Sequence, residues 1–224
     1  ASFIKLAQVL ATRADFFDPP YLEELKELHD QLPPMSKEEL DVVYNRAFGA
    51  DAFARFEREP IASASIGQVH VAYLHSGEKV AVKLRRLSIA AQVKADIAII
   101  EFFNALFRPL FSHTTKNSIE AVVSEFSKMI LQEVSLTHEL RNLIKFSSVY
   151  KDEGIRFPVP HAIMCSDDAI VMSFEEGFRF DDKENIFKYN VDFKAIIQKL
   201  VHFYTTQMLI NGYFHADPHP GNLL

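Results

Sequence analysis

The 224-residue sequence contains no tryptophan, seven glycines and a single cysteine, Cys165. One cysteine excludes an internal disulfide and a zinc site built on paired thiolates. Cys165 falls in a predicted strand, where a buried and unreactive thiol is expected. Basic residues are also in deficit: 24 Lys and Arg stand against 30 Asp and Glu, for a formal net charge of −6. Arg85 and Arg86, following Lys83, form the only tight basic cluster, too short to make a patch. A domain that grips nucleic acid carries a basic face, so no nucleic-acid partner is expected. No run reaches the ~18 apolar residues that span a bilayer. The most apolar stretch, residues 97–107, is interrupted by Glu101 and Asn104. The first residues enter directly into helical pattern and do not resemble a signal or transit peptide.

What is present suits a packed core: 48% of residues are apolar, 24% are charged, and 20 are Phe. This is enough for one large domain or two small lobes sharing a cleft. The first sixty residues read as helical. Leu22, Leu25, Leu28 and Leu32 recur at helical spacing after Asp18-Pro19-Pro20, and Ser36 with Glu39 forms a capping-box signature. From Ile66 to Lys83 the chain alternates, is rich in Val and is broken midway by Ser76-Gly77, which predicts a β-hairpin. Helices are predicted over about residues 89–108 and 118–148, the second opening behind Asn117 with Glu120 three residues on. Two short strands, about 161–166 and 169–174, flank Asp167-Asp168. A last helix, about 191–211, stops at Asn211-Gly212. The order predicts an α+β fold with a strand-bearing half and a helical half.

Three separated features carry chemistry when taken together. Val80-Ala81-Val82-Lys83 ends a predicted strand. It matches the V-A-I-K pattern, in which a strand-borne lysine reaches the α- and β-phosphates of ATP. The turn from Pro60 to His70 is built of small residues, Ala62-Ser63-Ala64-Ser65-Ile66-Gly67-Gln68-Val69. Small residues let the backbone approach phosphates, and Ala and Ser make this loop stiffer than a glycine-rich one. Alone, it would read as a plain turn into a strand. The third feature is His215-Ala216-Asp217-Pro218-His219-Pro220-Gly221-Asn222, where Asp217 and Asn222 are spaced as in the kinase H-R-D-L-x-x-x-N loop. That spacing offers a carboxylate for the attacking group and an amide oxygen for Mg²⁺. A rival reading makes His215, Asp217 and His219 metal ligands. A lysine aimed at phosphates is held by a glutamate on the helix behind it. Glu139 is the candidate, although periodicity leaves Glu120, Glu125 and Glu133 equally open.

These residues together resemble the UbiB/AarF family of atypical kinases through essentially the whole chain. The family's K-x-G-Q motif appears as Lys5-Leu6-Ala7-Gln8, its P-x-A-A-A-S-I-G-Q-V-H loop as Pro60 to His70, and its H-x-D-P-H-P-G-N loop as His215 to Asn222. The resemblance implies a protein-kinase-like fold. An N-terminal helical extension would cover residues 1–59, an N-lobe with inserted helices 60–176, and the start of a C-lobe 177–224. It implies that Lys83 binds phosphates and pairs with Glu139. Asp217 is then the catalytic carboxylate and Asn222 a Mg²⁺ ligand. Adenine would lie against the backbone of Met172, Ser173, Phe174 and Glu175. Lys5 and Gln8 belong to an extension that folds over the site and blocks protein substrates, with Glu133 as the acidic partner of Lys5.

The chain departs from the family pattern in four places. Ala7 replaces the glycine of K-x-G-Q, Ser63 an alanine of the loop, Ser135 the aspartate of E-x-D, and Ser173 the glutamate that opens the hinge. The D-F-G segment that would follow Leu224 is not in the sequence, so this stretch alone is expected to be inactive. The resemblance implies an ATP- or ADP-binding, Mg²⁺-dependent kinase or ATPase that supports isoprenoid-quinone or related lipid metabolism. Membrane lipid or quinone-pathway proteins would be its partners, at a membrane of a mitochondrion, plastid or bacterium. A nucleotide-sensing, lipid-binding scaffold and a metal-dependent hydrolase built on His215, Asp217 and His219 are the competing expectations.

Overall fold

The structure is a computed structural model describing residues 2–10, 18, 20–21, 24, 32–151, 153–216 and 222–224, without the side chains of residues 4 and 8–10. Leu22, Leu25 and Leu28 of the predicted leucine helix lie outside the described residues. Two compact units emerge: Ala1–Val149 with Phe157–Phe174, and Tyr150–Arg156 with Glu175–Leu224.

The first unit is built around an antiparallel sheet. Strands β1 (Arg55–Phe56), β3 (Gly67–Tyr73), β4 (Lys79–Arg85) and β5 (Ala169–Ser173) lie in that order, and β2 (Ala62–Ser63) also pairs with β3. The β3–β4 hairpin is the predicted one. Gly77 at its tip has φ of +87°, a left-handed conformation that glycine adopts without cost. Its register sets Val69 opposite Lys83 and Gln68 opposite Leu84. Side chains alternate along a strand, so the two sets project from opposite faces.

One face carries Val80, Val82 and Leu84 into a core with Leu40, Val43, Phe48 and Phe53. Leu40 and Val43 come from helix α2 (Lys37–Ala47), whose Ser36–Glu39 capping box is formed as expected. The α2 helix and β1, expected to precede the lobe, therefore belong to the sheet's own core. On the other side, α1 (Ser2–Leu10), α3 (Ile89–Phe107) and α4 (His113–Val134) share a second cluster of Ile89, Val93, Ile97, Phe126, Ile130 and Val134, with Leu6 against it. Ile66, from the turn before β3, is buried in this helical cluster.

Several expectations need correction. The helix predicted over 118–148 is two helices, α4 and α5 (Leu136–Val149), broken at Ser135. The first of them opens at Ser112, whose hydroxyl caps the N–H of Thr115, and not at Asn117. The strand expected at 161–166 is a single 3₁₀ turn, Ala162–Met164, because Pro160 and His161 make only isolated contacts to β5. Cys165 follows that turn and is only partly buried. Its Sγ lies near the His161 carbonyl and accepts from Val171 N–H at 3.4 Å; burial raises the pKa of the thiol, and the bond from the Val171 backbone opposes that rise.

The second unit holds α6 (Lys183–Lys188), which the sequence reading missed, and α7 (Phe193–Thr206), which continues as a π-helical turn over Gln207–Asn211. Tyr150 is fully buried there, edge-on to Phe203, and its hydroxyl donates to the carbonyl of Tyr213. No described helix is long and apolar enough to cross a membrane.

Candidate functional site

The chemistry expected of Lys83 depends on what β4 aims it at. Val82 and Leu84 are buried in the core, so Lys83 between them must point to the opposite face. There its Nζ donates to both carboxylate oxygens of Glu139, each at 2.7 Å. Of the four glutamates that periodicity left open, α5 therefore brings Glu139 to the lysine. Glu139 sits in the first turn of α5, where the helix dipole favours a carboxylate.

This pair forms one wall of a cavity of about 250 Å³. The small-residue turn, from Ala62, Ala64, Ser65, Ile66 and Gly67 to Val69, also lines it, and Glu133 of α4 completes the lining. Backbone pairing holds the turn closed. Ala62 and Ser63 pair with Val69 and Gln68, and the Ala64 N–H donates to the Gly67 carbonyl at 2.9 Å. Gly67 is needed for a specific reason. A Cβ there would lie 2.6 Å from the carbonyl oxygen of Leu84 on β4, and no side chain fits so close to backbone.

Two residues that sequence reasoning passed over, Arg85 and Arg86, tie down the cavity's surroundings. Arg86 reaches back to the turn: its Nε donates to Ala64 O at 2.7 Å, and Nη2 to Ser63 Oγ at 2.8 Å and Pro33 O at 2.6 Å. The hydroxyl of Ser63, a departure from the family pattern, thus serves as an acceptor for this arginine. Arg85 binds Asp167, Asp168 and the carbonyl of Val134. Their signal was present as the only tight basic cluster, just after Lys83 in the sequence.

Other expected residues fall into place unevenly. Lys5 of α1 meets Glu133 at 3.0 Å, and the lysine side chain is only 19% exposed. The side chain of Gln8 and all of Asp217 and His219 lie outside the described residues. Gln68, expected among the nucleotide contacts, is turned to the core face. Its Oε1 accepts from Met35 N–H at 2.8 Å and its Nε2 donates to His70 Nε2 at 2.7 Å. The alternation of β3 makes this unavoidable once Val69 faces the cavity. Ser63, Met172, Ser173 and Phe174 are likewise not among the cavity's lining residues. Met172 pairs with Ala81 at the end of β5, the Ser173 hydroxyl accepts from Val159 N–H at 2.9 Å, and the Phe174 ring lies under Lys79 Nζ at 3.8 Å.

Within the second unit, Glu175 approaches Arg156 at 4.0 Å. The buried Gln207 accepts from His215 N–H at 2.8 Å, which fixes the entry to the His-Pro loop. Asn222 is exposed, and Leu223 beside it accepts from Phe180 N–H at 3.2 Å.

Comparison with known proteins bears on this geometry. The sequence profile of the ABC1 atypical kinase-like domain matches residues 27–224. A protein of Pseudomonas aeruginosa named probable protein kinase UbiB is 34% identical over 225 residues, covering 99% of this chain and 42% of its own length. An uncharacterized protein of Clostridium pasteurianum, from the hydrogenase 1 5′ region, is 33% identical over 227 residues, covering 100% of this chain and 43% of its own. The chain thus spans less than half the length of these relatives. The solved complex of Rv3197 with erythromycin from Mycobacterium tuberculosis superposes with a TM-score of 0.62 at 22% identity, over 96% of this chain and 55% of that one. At that identity the likeness speaks to fold. The chain belongs to the ABC1 atypical kinase-like family and has that family's α+β kinase-like fold.

Proposed function

We propose that this member of the family binds ATP or ADP with Mg²⁺ at the Lys83 cavity. The whole protein would act as an ATPase or small-molecule phosphotransferase in isoprenoid-quinone or related lipid metabolism. The observation that carries the reading is Lys83 held by both oxygens of Glu139 in a cavity also lined by a tight, small-residue turn. An ammonium has three donors; Glu139 occupies two, and a phosphate oxygen would take the third. At about 250 Å³ the cavity is smaller than the roughly 300–1,000 Å³ usual for drug-sized ligands. It suits the phosphate end of a nucleotide better than the whole molecule.

Charge bookkeeping supports a metal. Lys5 and Lys83 are matched one for one by Glu133 and Glu139, so a polyphosphate brings uncompensated negative charge. Mg²⁺ would supply the missing positive charge and polarise the transferring group. Asn222 is the residue we assign to it and Asp217 the carboxylate beside the acceptor, both by resemblance. The adenine would contact the segment from Met172 to Glu175.

Lys5 paired to a cavity-lining glutamate supports small-molecule chemistry over protein phosphorylation, since α1 then occupies ground beside the site. We further propose association with a membrane. Phe102, Phe103, Leu106, Phe107 and Leu110 are exposed along the end of α3 and the turn after it, a run of the kind that marks lipid or partner contacts.

The test is Mg²⁺-ATP hydrolysis by the full-length protein, with and without lipid vesicles, in wild type, Lys83→Ala and Asp217→Asn. Turnover lost in both variants and raised by lipid is the expected result. Peptide phosphorylation that depends on Asp217 would overturn the small-molecule reading. Activity that survives Lys83→Ala would point instead to the His215-Asp217-His219 hydrolase. A second reading, a nucleotide-sensing lipid-binding scaffold, draws on Ser135 in place of a carboxylate. It predicts tight nucleotide binding, lost in Lys83→Ala, with no turnover.

A further inference from the structure

Arg85 leaves β4 two residues after Lys83 and so from the same face. Its side chain is 14% exposed. Nη1 contacts Val134 O at 3.3 Å and Asp167 Oδ2 at 2.5 Å, and Nη2 contacts Asp168 Oδ1 at 2.6 Å. Val134 closes α4, and its carbonyl is one of those that a helix C-terminus leaves without a partner. The other oxygen of Asp167 accepts from Ser135 Oγ at 3.0 Å and from Thr137 N–H at 3.4 Å, at the start of α5. A carboxylate there meets both the orphan N–H groups and the positive end of the dipole. One ion pair therefore grips the C-terminus of α4 and the N-terminus of α5. Glu133 lies immediately before that corner and Glu139 one turn after it.

We propose that Arg85 and Asp167 are positioning residues of the nucleotide site: their ion pair sets the α4–α5 corner, and the corner sets the reach of Glu139 to Lys83. This rests on the nucleotide-binding reading of the cavity. The E-x-D pattern places a carboxylate at position 135. Here Ser135 caps α5 with its hydroxyl, accepting from His138 N–H at 3.3 Å, and the negative charge arrives from residue 167 on another segment. Lysine cannot replace Arg85, because a point ammonium does not span Val134, Asp167 and Asp168 as a planar fork does.

The experiment measures the Kd for Mg²⁺-ATP by calorimetry, together with the thermal midpoint, in the full-length protein. The variants are Asp167→Asn, Arg85→Lys, the exchange Ser135→Asp with Asp167→Ser, and Lys83→Ala. Asp167→Asn and Arg85→Lys each weaken binding about tenfold, the weight of one charge-assisted hydrogen bond. The exchange variant, with the carboxylate returned to the corner from position 135, binds within about threefold of wild type. A lowered midpoint with unchanged Kd in Asp167→Asn would make the pair a structural staple only and overturn the proposal. So would an exchange variant no better than Asp167→Asn. Should Asp167→Asn fail to fold, Arg85→Lys and the exchange carry the same comparison. Lys83→Ala separates the two levels: binding intact in that variant sinks the nucleotide reading itself, whereas binding lost there but kept in Asp167→Asn sinks only this inference.

Discussion

The two faces of the β3–β4 hairpin solve the same problem, polar groups on a sheet, in opposite ways. On the cavity face Lys83 and Glu139 are ionised partners, 27% and 41% exposed. On the core face Gln68 and His70 are buried and uncharged, linked in one chain from Met35 N–H through Gln68 and His70 to the Glu57 carbonyl. A charge kept near water can exchange its partner for a ligand at modest cost. A polar group kept from water must instead have every donor matched. The cavity face is therefore open to chemistry, and the core face fixes the register that delivers it.

The largest effect should come from breaking the core face. Gln68→Leu fills a similar volume but leaves Met35 N–H and His70 Nε2 without a partner, each costing about 1–3 kcal/mol. Urea unfolding of the full-length protein should show this as a lowered midpoint, with Mg²⁺-ATP affinity unchanged under folding conditions. A midpoint within experimental scatter of wild type would mean that the polar chain is not what holds β3 in place. Gly67→Ala tests the seam between the faces. Its Cβ would meet the Leu84 carbonyl at 2.6 Å, so the strands must part, at a cost of about 1–3 kcal/mol typical of overpacking. Because Gly67 also lines the cavity, this variant should lose nucleotide affinity as well as stability. Loss of stability alone would show that the turn tolerates a shifted strand.

The cavity face was more legible in the sequence than the core face. Lys83 announced itself through the strand pattern, and the turn through its run of small residues. Gln68 misled because a motif reads as a continuous string, whereas a strand sends alternate residues to opposite sides; Val69 facing the cavity commits Gln68 to the core. The choice of Glu139 over Glu120, Glu125 and Glu133 could not be made from periodicity, since it depends on the break at Ser135 that turns α5 toward β4. That break was hidden because residues 118–148 keep helical spacing throughout, and Ser135 is a good cap with no glycine or proline to mark it. The Arg85–Asp167 contact joins positions 82 residues apart, a separation that no local pattern encodes.

Breaking the cavity face should hardly touch stability. Glu139→Gln removes one partner of a half-exposed ion pair, and such pairs contribute about 0–1 kcal/mol. The unfolding midpoint should therefore stay close to wild type while Mg²⁺-ATP binding weakens, because Lys83 loses the group that aims it. A stability loss as large as that of Gln68→Leu would erase the distinction between the faces.

The smallest effect is a pH dependence confined to the core face. Met35 N–H can only donate, which assigns the Gln68 oxygen to it and turns the amide nitrogen toward His70. His70 Nε2 is then an acceptor, and the proton on Nδ1 is donated to the Glu57 carbonyl at 2.9 Å. Protonating Nε2 would set donor against donor. Burial lowers the pKa of His70 below its ordinary 6.5; the hydrogen bond to Glu57 opposes this, and the Arg58 charge adds to it. The unfolded chain thus takes up a proton near pH 6.5 that the folded chain refuses until lower pH. Stability is complete above about pH 6.5 and declines as pH falls toward the folded value, at no more than ~1.4 kcal/mol per pH unit. Urea midpoints at pH 7.5, 6.5 and 5.5 should fall more steeply in wild type than in His70→Asn, which has nothing to titrate at that position. Parallel slopes would show that the imidazole accepts its second proton in place, and that the core face is not the uncharged environment its hydrogen bonds describe.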